Sequence, residues 1–314
     1  MIDILFIKTS SLGDIIHHMP AVSDARAHFP QARLTWLIEE MYMPLARLHP
    51  AVDEIIPVAW RRWRSSVGSA ATWREIGAQR RQLRARHYDG IVDTQGLIRT
   101  ALMARSADGF RHGYDRNSIR EPLASMFYDR RHAVSRDLHA IERNRRLSGL
   151  ALGYVPEGAA NYGLDRAKLG TGNERYAVLL HGTARPEKEW PVANWIALAR
   201  SLQQSGRPLI LPWGNEAERA RALHIADAAG ARIADRLTLE EIPRLIAGAE
   251  FVVGGDTGLV HLAAALGVPL VAIFSGSEPG LTRPLGSGPI KVVGTKGRVP
   301  SVEEVSTAVN EILR

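Results

Sequence analysis

The feature that most constrains the fold of this chain is a short apolar segment followed by a polar turn and a helical pattern. Ile4–Ile7 is the first such segment, and apolar residues at helical spacing follow over residues 15–29. Strands that alternate with helices in this way predict a parallel, doubly wound sheet. The alternation runs to a strand at 90–93 and restarts with a strand at 176–180, so we expect two such domains.

The boundary between the domains is predicted from a change in composition. Residues 156–175 are rich in glycine, alanine and asparagine and show little periodicity, which is typical of a linker. We therefore expect an N-terminal Rossmann-like domain over 1–155 and a C-terminal one over 176–300. Ser301 is a suitable N-cap for a last helix in 301–314, which we expect to pack back on the first domain. The predicted fold class is α/β, with a cleft between the two domains.

Composition excludes several other classes of protein. The 314 residues are 45% hydrophobic, which is too apolar for a disordered chain. The absence of cysteine excludes a disulfide framework, a thiolate metal site and a cysteine nucleophile.

Leu262–Phe274 is the longest nearly apolar run and is shorter than the roughly 20 residues of a membrane span. The first residues lack a basic leader and a cleavage site, so we expect a cytoplasmic protein.

Positive charge is concentrated in one part of the chain. Residues 61–150 carry 19 arginines and nine acidic residues, a net charge of +10, whereas the whole chain carries +7. The remainder is therefore slightly acidic. Arginine suits planar, bidentate contacts to phosphate and carboxylate groups. An anionic partner of the first domain is expected, and nucleic acid, a membrane surface and a phosphorylated substrate all fit this charge.

The loop after the first strand, Lys8-Thr-Ser-Ser-Leu-Gly-Asp14, lacks the glycine patterns of dinucleotide and Walker loops. It brings one carboxylate, Asp14, to the start of a helix. An acid in this position stabilises the helix through its N-terminal N–H groups. A carboxylate beyond the carboxyl end of a strand can also serve as a general base. The two roles are compatible, and both remain open.

Two loops of the second half have residues suited to a diphosphate. Gly254-Gly-Asp-Thr-Gly258 precedes an apolar helix that contains His261, and exposed N–H groups at a helix start favour anions. The segment 181–190 places Lys188 after another strand, where a cation can neutralise charge on a leaving diphosphate. An ordinary tight turn and a solvated surface loop are the structural alternatives.

Further candidates lie in the basic region. Trp60-Arg-Arg-Trp-Arg64 could stack nucleic-acid bases, lie at a lipid headgroup surface, or form a solvated basic face. Asp93-Thr-Gln-Gly96 again follows a strand, and Arg120-Glu-Pro122 lies further on, so both are candidates for contact with a polar substrate. No histidine or acidic cluster has metal-ligand spacing, since the adjacent His17 and His18 diverge on a helix.

Taken together, these motifs resemble the heptosyltransferases of lipopolysaccharide synthesis, glycosyltransferase family 9. The resemblance extends in order from the N-terminus to about residue 280. The pattern Asp-Thr-Gly-x-x-His marks the wider family, and the Arg-Arg-Trp-Arg and Arg-Glu-Pro-Leu-Ala segments favour its type I members. The segments that carry the resemblance are Lys8–Asp14, Asp93–Leu97, Arg120–Ala124, Leu211–Gly214 and Asp256–His261.

The resemblance implies a GT-B fold and an inverting transfer of L-glycero-D-manno-heptose from ADP-heptose to a Kdo sugar of Kdo-lipid A. No cofactor and no essential metal are implied. Asp14 would be the base on the acceptor hydroxyl, and Lys188 would assist the leaving group. The implied donor-binding residues are Thr183, Lys188, Glu216 or Glu218, Asp256, Thr257, Gly258 and His261. The implied acceptor-binding residues are Lys8, Ser10, Gly13, Arg61, Arg62, Arg64, Gln95 and Arg120.

One departure from the family pattern is Ala184, which stands where a second threonine is frequent and removes one hydroxyl contact to the diphosphate. The expected partners are ADP-heptose, Kdo-lipid A and the cytoplasmic surface of the inner membrane. We expect a monomer that does not bind nucleic acid. Two alternatives remain open. One is a type II heptosyltransferase or another nucleotide-sugar transferase of the family, and the other is a basic nucleic-acid-binding module without activity.

Overall fold

The computed structural model describes residues 1–169, 175–183 and 185–314. These residues form two units, Met1–Gly163 (unit 1) and Leu164–Arg314 (unit 2). The division falls inside the predicted linker 156–175. Among the described residues, no helix combines the length and the apolar character that crossing a membrane requires.

Unit 1 is an alternation of strands and helices around one parallel sheet. A 3₁₀ turn over Pro122–Phe127 joins its last two strands. Its elements are β1 (Asp3–Ile7), α1 (Leu12–His28), β2 (Arg33–Glu39), α2 (Met43–Arg47), β3 (Glu54–Val58), α3 (Trp60–Ser65), α4 (Ala70–Arg84), β4 (His87–Asp93), α5 (Ile98–Ala104), β5 (Asp108–Tyr114), β6 (Arg130–His132) and α6 (Ala140–Leu152).

The six strands of unit 1 lie in the order β3-β2-β1-β4-β5-β6, and all pairs are parallel. β1 is central and buried on both faces, since Leu5 and Ile7 join one apolar cluster while Ile4 and Phe6 are buried as well. A strand that meets no water requires a continuous apolar run rather than alternation. Complete burial of each such side chain contributes about 1.5–3 kcal/mol.

Unit 2 repeats this architecture. Its elements are β7 (Ala177–Leu180), α7 (Val192–Gln204), β8 (Leu209–Leu211), α8 (Glu216–Ala229), β9 (Arg232–Ile233), α9 (Ile242–Gly248), β10 (Phe251–Gly255), α10 (Gly258–Ala265), β11 (Leu270–Ile273), β12 (Ile290–Val293) and α11 (Val302–Ile312). The strand order is β12-β11-β10-β7-β8-β9, again all parallel.

The last helix differs from its expected position. Ser301 caps α11 as predicted, and its hydroxyl accepts a hydrogen bond from the Glu304 N–H. The buried face of α11, however, belongs to the core of unit 2. Its apolar residues Val305, Val309 and Ile312 join the same cluster as Trp195. The helix therefore completes unit 2, whereas the sequence suggested that it returns to the first domain.

One helix of unit 1, α6, has no clear amphipathic pattern in its sequence. In α6 the buried face includes the polar residues Asn144 and Arg145, which interrupts the apolar periodicity. The Asn144 amide donates to the backbone oxygen of His17, and Arg145 pairs with Asp24 at 2.7 Å. Their burial is compensated by these contacts, which lie far away in sequence.

Candidate active site

In both units the predicted loops lie at the same topological place. Counted within each unit, both sheets have the strand order 3-2-1-4-5-6 of Rossmann folds. The chain leaves the first and fourth strands in opposite directions, which opens a crevice at their carboxyl ends. In unit 1 this crevice lies after β1 and β4, beside Lys8–Asp14 and 93–96. In unit 2 it lies after β7 and β10, beside 181–188 and Asp256–Gly258.

Asp14 has the structural role that its position suggests. It is the third residue of α1, and its Oδ2 accepts hydrogen bonds from the Ser11 N–H at 2.9 Å and the Ser11 hydroxyl at 3.2 Å. Both bonds end on the same oxygen, and the side chain is only half-buried. The cap therefore fixes the carboxylate at the crevice while Oδ1 remains outside the capping box.

Lys8 is a buried cation beneath this loop. Its side chain is 6% exposed, and Nζ donates to the Thr94 backbone oxygen at 3.1 Å. Burial lowers the pKa of Lys8, and the nearby carboxylates of Asp14 and Asp93 oppose that change. A buried ammonium is stable only beside such partners. Lys8 therefore contributes positive potential to the crevice while its ammonium stays buried beneath the loop and does not line the crevice surface.

The loop after β4 holds the loop after β1. The Gln95 side-chain oxygen accepts hydrogen bonds from the backbone N–H groups of Thr9 and Ser10, at 3.0 and 3.2 Å. Asp93 is fully buried and accepts from the Tyr128 hydroxyl at 2.8 Å. Burial raises the pKa of Asp93, and the hydrogen bonds to its carboxylate oppose this rise. Gln95 thus anchors the backbone at Ser10.

The arginines of α3 are held in different ways. Arg62 contacts two carboxylates, Glu75 at 2.8 Å and Glu40 at 3.2 Å, and these hydrogen bonds raise its pKa. The Arg61 guanidinium donates to the Tyr42 hydroxyl at 3.1 Å. An acceptor phosphate at Arg62 would have to compete with two anions that are already bound.

Exposed cations also border this crevice. Arg64 lines a cavity of about 350 Å³ together with Trp60, Ile98, Arg99, Leu102 and Glu121. Arg120 is exposed. The Glu121 carboxylate accepts from the Ile98 N–H at 2.7 Å, which joins the Arg120 segment to the start of α5. Trp63, in contrast, is buried with its indole N–H on Glu75, so it cannot stack on a base or a headgroup.

In unit 2, Lys188 and Asp256 form an ion pair at the crevice. Lys188 Nζ donates to Asp256 Oδ2 at 2.6 Å, and the Ser277 hydroxyl donates to the same oxygen. The Ser275 hydroxyl also donates to the Lys188 backbone oxygen at 3.0 Å. Gly276 permits this approach, since a Cβ there would lie 2.1 Å from the Glu187 backbone oxygen. The lysine is therefore fixed at the end of β10.

The start of α10 lies directly beside this pair. Thr257 is its N-cap in an extended conformation, and Gly258 is its first residue, so the N–H groups of the first turn point out of the helix end. His261 is buried on the same helix. The Thr183 hydroxyl donates to the Arg185 backbone oxygen at 2.8 Å. Ala184 lies outside the described residues.

The structure distinguishes the two glutamates of α8. The Glu218 carboxylate accepts from the Gly214 N–H at 2.7 Å and lies so close to Gly182 that a Cβ there would be 2.8 Å from its Cδ. Glu218 therefore lies at the carboxyl ends of β7 and β8. The Glu216 side chain is 79% exposed, and its nearest cation, Arg219, is 3.9 Å away.

Three residues that hydrogen-bond to the candidate loops are absent from the predicted set. Arg99 donates to the Ser10 hydroxyl at 3.2 Å, Tyr128 supports Asp93, and Ser277 supports Asp256. Nothing in the local sequence links these residues to their partners, which lie 21 to 89 positions away. Within the described part of the chain, no three histidine or acidic side chains are grouped so as to hold a metal ion.

Comparison with known proteins identifies the family. A model described as glycosyltransferase family 9 (heptosyltransferase) matches residues 76–310. The chain belongs to this family. It is 42% identical over 284 residues to lipopolysaccharide heptosyltransferase 1 of Salmonella typhimurium strain LT2, which covers 88% of the chain and 90% of the relative.

Solved structures of family 9 agree with this assignment. E. coli heptosyltransferase WaaC with ADP superposes with a TM-score of 0.93 and 37% identity over 99% of both chains. The same enzyme with ADP-2-deoxy-2-fluoro heptose gives 0.90 and 36%, again over 99% of both. These matches confirm two predictions, the GT-B fold and the class of heptosyl-transferring glycosyltransferase.

Proposed function

We propose that this family 9 enzyme moves L-glycero-D-manno-heptose from ADP-heptose to a Kdo residue of Kdo-lipid A, with inversion at the anomeric carbon. The observation that carries the proposal is the Lys188–Asp256 pair beside the open N-terminus of α10. A fixed cation and exposed N–H groups together form a site for a diphosphate. Relatives named lipopolysaccharide heptosyltransferase 1, at about 40% identity, support the choice of heptose and of a lipopolysaccharide acceptor.

On the donor side, each group of unit 2 receives a role in this proposal. The first turn of α10, from Thr257 and Gly258, donates N–H groups to the diphosphate. Lys188 neutralises the charge that develops on ADP as the glycosidic bond breaks, and Asp256 holds the lysine in place. Thr183 and His261 border the same site, and the Glu218 carboxylate accepts hydrogen bonds from the ribose hydroxyl groups.

On the acceptor side, Asp14 takes the proton from the Kdo hydroxyl as that oxygen attacks the anomeric carbon. Glycosyl transfer develops oxocarbenium-like charge on the sugar, so a base on the nucleophile and a stabilised leaving group act at the same time. The Ser11 bonds to Oδ2 orient the carboxylate, which leaves Oδ1 for the proton.

The remaining residues of unit 1 position the acceptor in this proposal. Arg61, Arg64 and Arg120 offer guanidinium groups to the carboxylates and phosphates of Kdo-lipid A. Arg62 takes part by releasing Glu40 or Glu75 and binding a phosphate or carboxylate of the acceptor instead. Lys8, Ser10, Gly13 and Gln95 shape the loop beneath the acceptor sugar. Association with the cytoplasmic surface of the inner membrane is part of the proposal, because the acceptor is a lipid, and the enzyme acts as a monomer.

The test is a transfer assay with detergent-dispersed acceptors and a panel of nucleotide sugars. We expect product only with ADP-heptose and Kdo-lipid A, with the inverted configuration by NMR, and undiminished turnover in EDTA. Transfer only to an acceptor that already carries one heptose would replace this proposal with a type II activity. Preference for a different nucleotide sugar would overturn the donor assignment, and loss of turnover in EDTA would overturn metal independence.

A further inference from the structure

Unit 1 has a second basic cavity, and its lining contains none of the predicted acceptor residues. It has a volume of about 420 Å³ and lies where the C-terminal turns of α4 and α5 approach each other. Its lining contains three arginines, one serine and one leucine and no acidic residue. These residues are Arg80, Arg84, Leu102, Arg105 and Ser106.

No carboxylate of the described residues neutralises the arginines of this cavity. Arg80 and Arg84 are one helical turn apart on α4, and among the described residues neither they nor Arg105 form an ion pair. Asp129 is near enough to Arg105 for that arginine to help lower the pKa of the Asp129 carboxyl. Arg111, however, already binds the Asp129 carboxylate with two hydrogen bonds. Other arginines of the region, such as Arg62, Arg111 and Arg145, do have carboxylate partners.

The helix ends do not remove this excess. Each of α4 and α5 presents its C-terminus here, and a helix end contributes a partial charge of at most about −0.5. Two such ends offset roughly one of the three guanidinium charges. Because like charges one helical turn apart destabilise a helix, an arrangement of this kind favours binding of an anion that bridges them.

The surroundings of the cavity indicate a lipid as the source of that anion. Leu102 is 49% exposed and lines both this cavity and the one with Arg64 and Arg99. The Pro122–Phe127 turn packs against α5 and exposes Leu123 and Met126 at 57% and 67%. Exposed apolar side chains beside unpaired arginines suit a bilayer surface, where the apolar groups enter the headgroup region and the arginines bind phosphates.

We propose that Arg80, Arg84 and Arg105 form a pocket for the phosphate of an anionic membrane lipid, which docks unit 1 on the bilayer. This pocket is additional to the acceptor residues already assigned. The three arginines of the cavity indicate an anion with several oxygens, such as a phosphate group. The choice of a membrane lipid as the carrier of that phosphate rests on the exposed apolar side chains and on the proposed function.

The test measures binding of the full chain to vesicles of phosphatidylcholine with and without phosphatidylglycerol. We expect binding that requires phosphatidylglycerol. Each arginine at an anionic surface contributes about fivefold, so Arg80→Gln with Arg84→Gln should weaken binding about 30-fold. Arg81→Gln is the single-charge control, because it removes one charge from α4 outside the cavity lining. It should weaken binding clearly less than Arg80→Gln or Arg84→Gln alone, each of which should cost about fivefold.

A second pair of variants separates a phosphate pocket from a diffuse field. Arg80→Lys with Arg84→Lys keeps the charge and loses the bidentate geometry, so binding should still fall about tenfold if phosphate is gripped directly. Undiminished binding by this double lysine variant would overturn the pocket. So would equal losses for Arg81→Gln and each single pocket variant. Competition by inorganic phosphate beyond that of chloride at equal ionic strength supports direct phosphate binding, and no competition counts against it.

Two further readouts complete the design. ADP affinity, a property assigned to unit 2, should be the same in every variant and shows that each one is folded. Tight binding of single-stranded DNA with no binding to vesicles would replace the lipid with a nucleic acid and overturn the proposal. Failure of heptose transfer to dispersed acceptor would contradict the proposed function and leave the vesicle result standing. If heptose transfer is normal but vesicle binding does not depend on Arg80 and Arg84, the lipid pocket is contradicted and the proposed function stands.

Discussion

The two units of this enzyme have the same strand order and use the same crevice in different ways. The crevice of unit 1 rests on buried ionisable groups, with Lys8 beneath the loop and Asp93 beside it. That of unit 2 rests on glycines and on one ion pair, Lys188–Asp256, next to a helix start.

The difference between the two crevices is consistent with the ligand proposed for each of them. A diphosphate can be held by backbone N–H groups, which need close approach and therefore small residues. A proton transfer needs a carboxylate with a fixed orientation, and unit 1 provides it through a capped Asp14 on a loop that Gln95 anchors. In this proposal one topology supports two chemistries because the loops, and not the sheets, differ.

The largest effect is expected for the carboxylate of unit 1. Asp14→Asn should lower kcat by about 10²–10⁴, because the amide cannot accept the proton in general base catalysis. Its oxygen can still accept from the Ser11 N–H, so α1 stays capped and ADP affinity should be unchanged. Initial rates and calorimetric ADP titrations measure the two effects. A near-normal kcat would show that Asp14 is a helix cap only, and unit 1 would lose its catalytic role in the comparison.

A smaller effect is expected at the donor crevice of unit 2. Glu218→Gln should weaken ADP binding about tenfold, because a hydrogen bond to a charged group contributes about 1.5–3 kcal/mol and glutamine recovers part of it. Glu216→Gln is the matched control on the same helix and should leave ADP affinity unchanged, since Glu216 projects into solvent. Equal behaviour of the two variants in ADP titrations would remove Glu218 from the site.

A third prediction compares the stability of the units with pH. Burial lowers the pKa of His49 and His112 in unit 1, and of His181 in unit 2, to about 4, and holds that of His18 well below its usual value. Each such histidine is protonated more readily in the unfolded chain. Stability is therefore complete above pH 6.5 and is lost as the pH falls toward 4. At pH 5 the loss is about 2 kcal/mol for His49 and about the same for His181.

Unit 1 contains three of these histidines and unit 2 contains one. Unit 1 should therefore lose more protection against hydrogen exchange than unit 2 between pH 7 and pH 5. The raised pKa of Asp93 works the other way, so the net loss is smaller than the histidines alone would give. Hydrogen exchange, corrected for its intrinsic pH dependence, measures each unit separately. His49→Gln should flatten the response of unit 1, since the neutral His49 ring accepts from the Ala51 N–H and loses that bond on protonation. A greater loss in unit 2 would contradict this account.

Much of the proposed donor site could be assembled from the sequence because its residues are close together along the chain. Asp256, Thr257, Gly258 and His261 occupy one strand–turn–helix segment, so local pattern and family resemblance locate them together. The choice between Glu216 and Glu218 was not predictable in this way. It depends on the direction of α8 relative to β7, which brings Glu218 against Gly182.

The acceptor side was less predictable, because its contacts join distant segments. Arg62 has the residue type of an anion contact, but Glu40 and Glu75 already occupy it. Trp63 lies within a surface-like basic run, yet it is buried. Whether an arginine is paired depends on which acids the fold brings near it, and the linear charge count of +10 over 61–150 carries no such information.

The sequence by itself determined the two parallel α/β units and their order, and it located the candidate loops at the strand ends. Apolar period and turn residues act over a few positions, and parallel strands require crossover helices, so this information is local. Only the tertiary structure decided that α11 completes unit 2 and that Gln95 anchors the Ser10 loop. It also decided that Arg80, Arg84 and Arg105 line one cavity and have no ion pair with any residue that the structure describes. Each of these depends on contacts between segments whose distance in space no local pattern encodes.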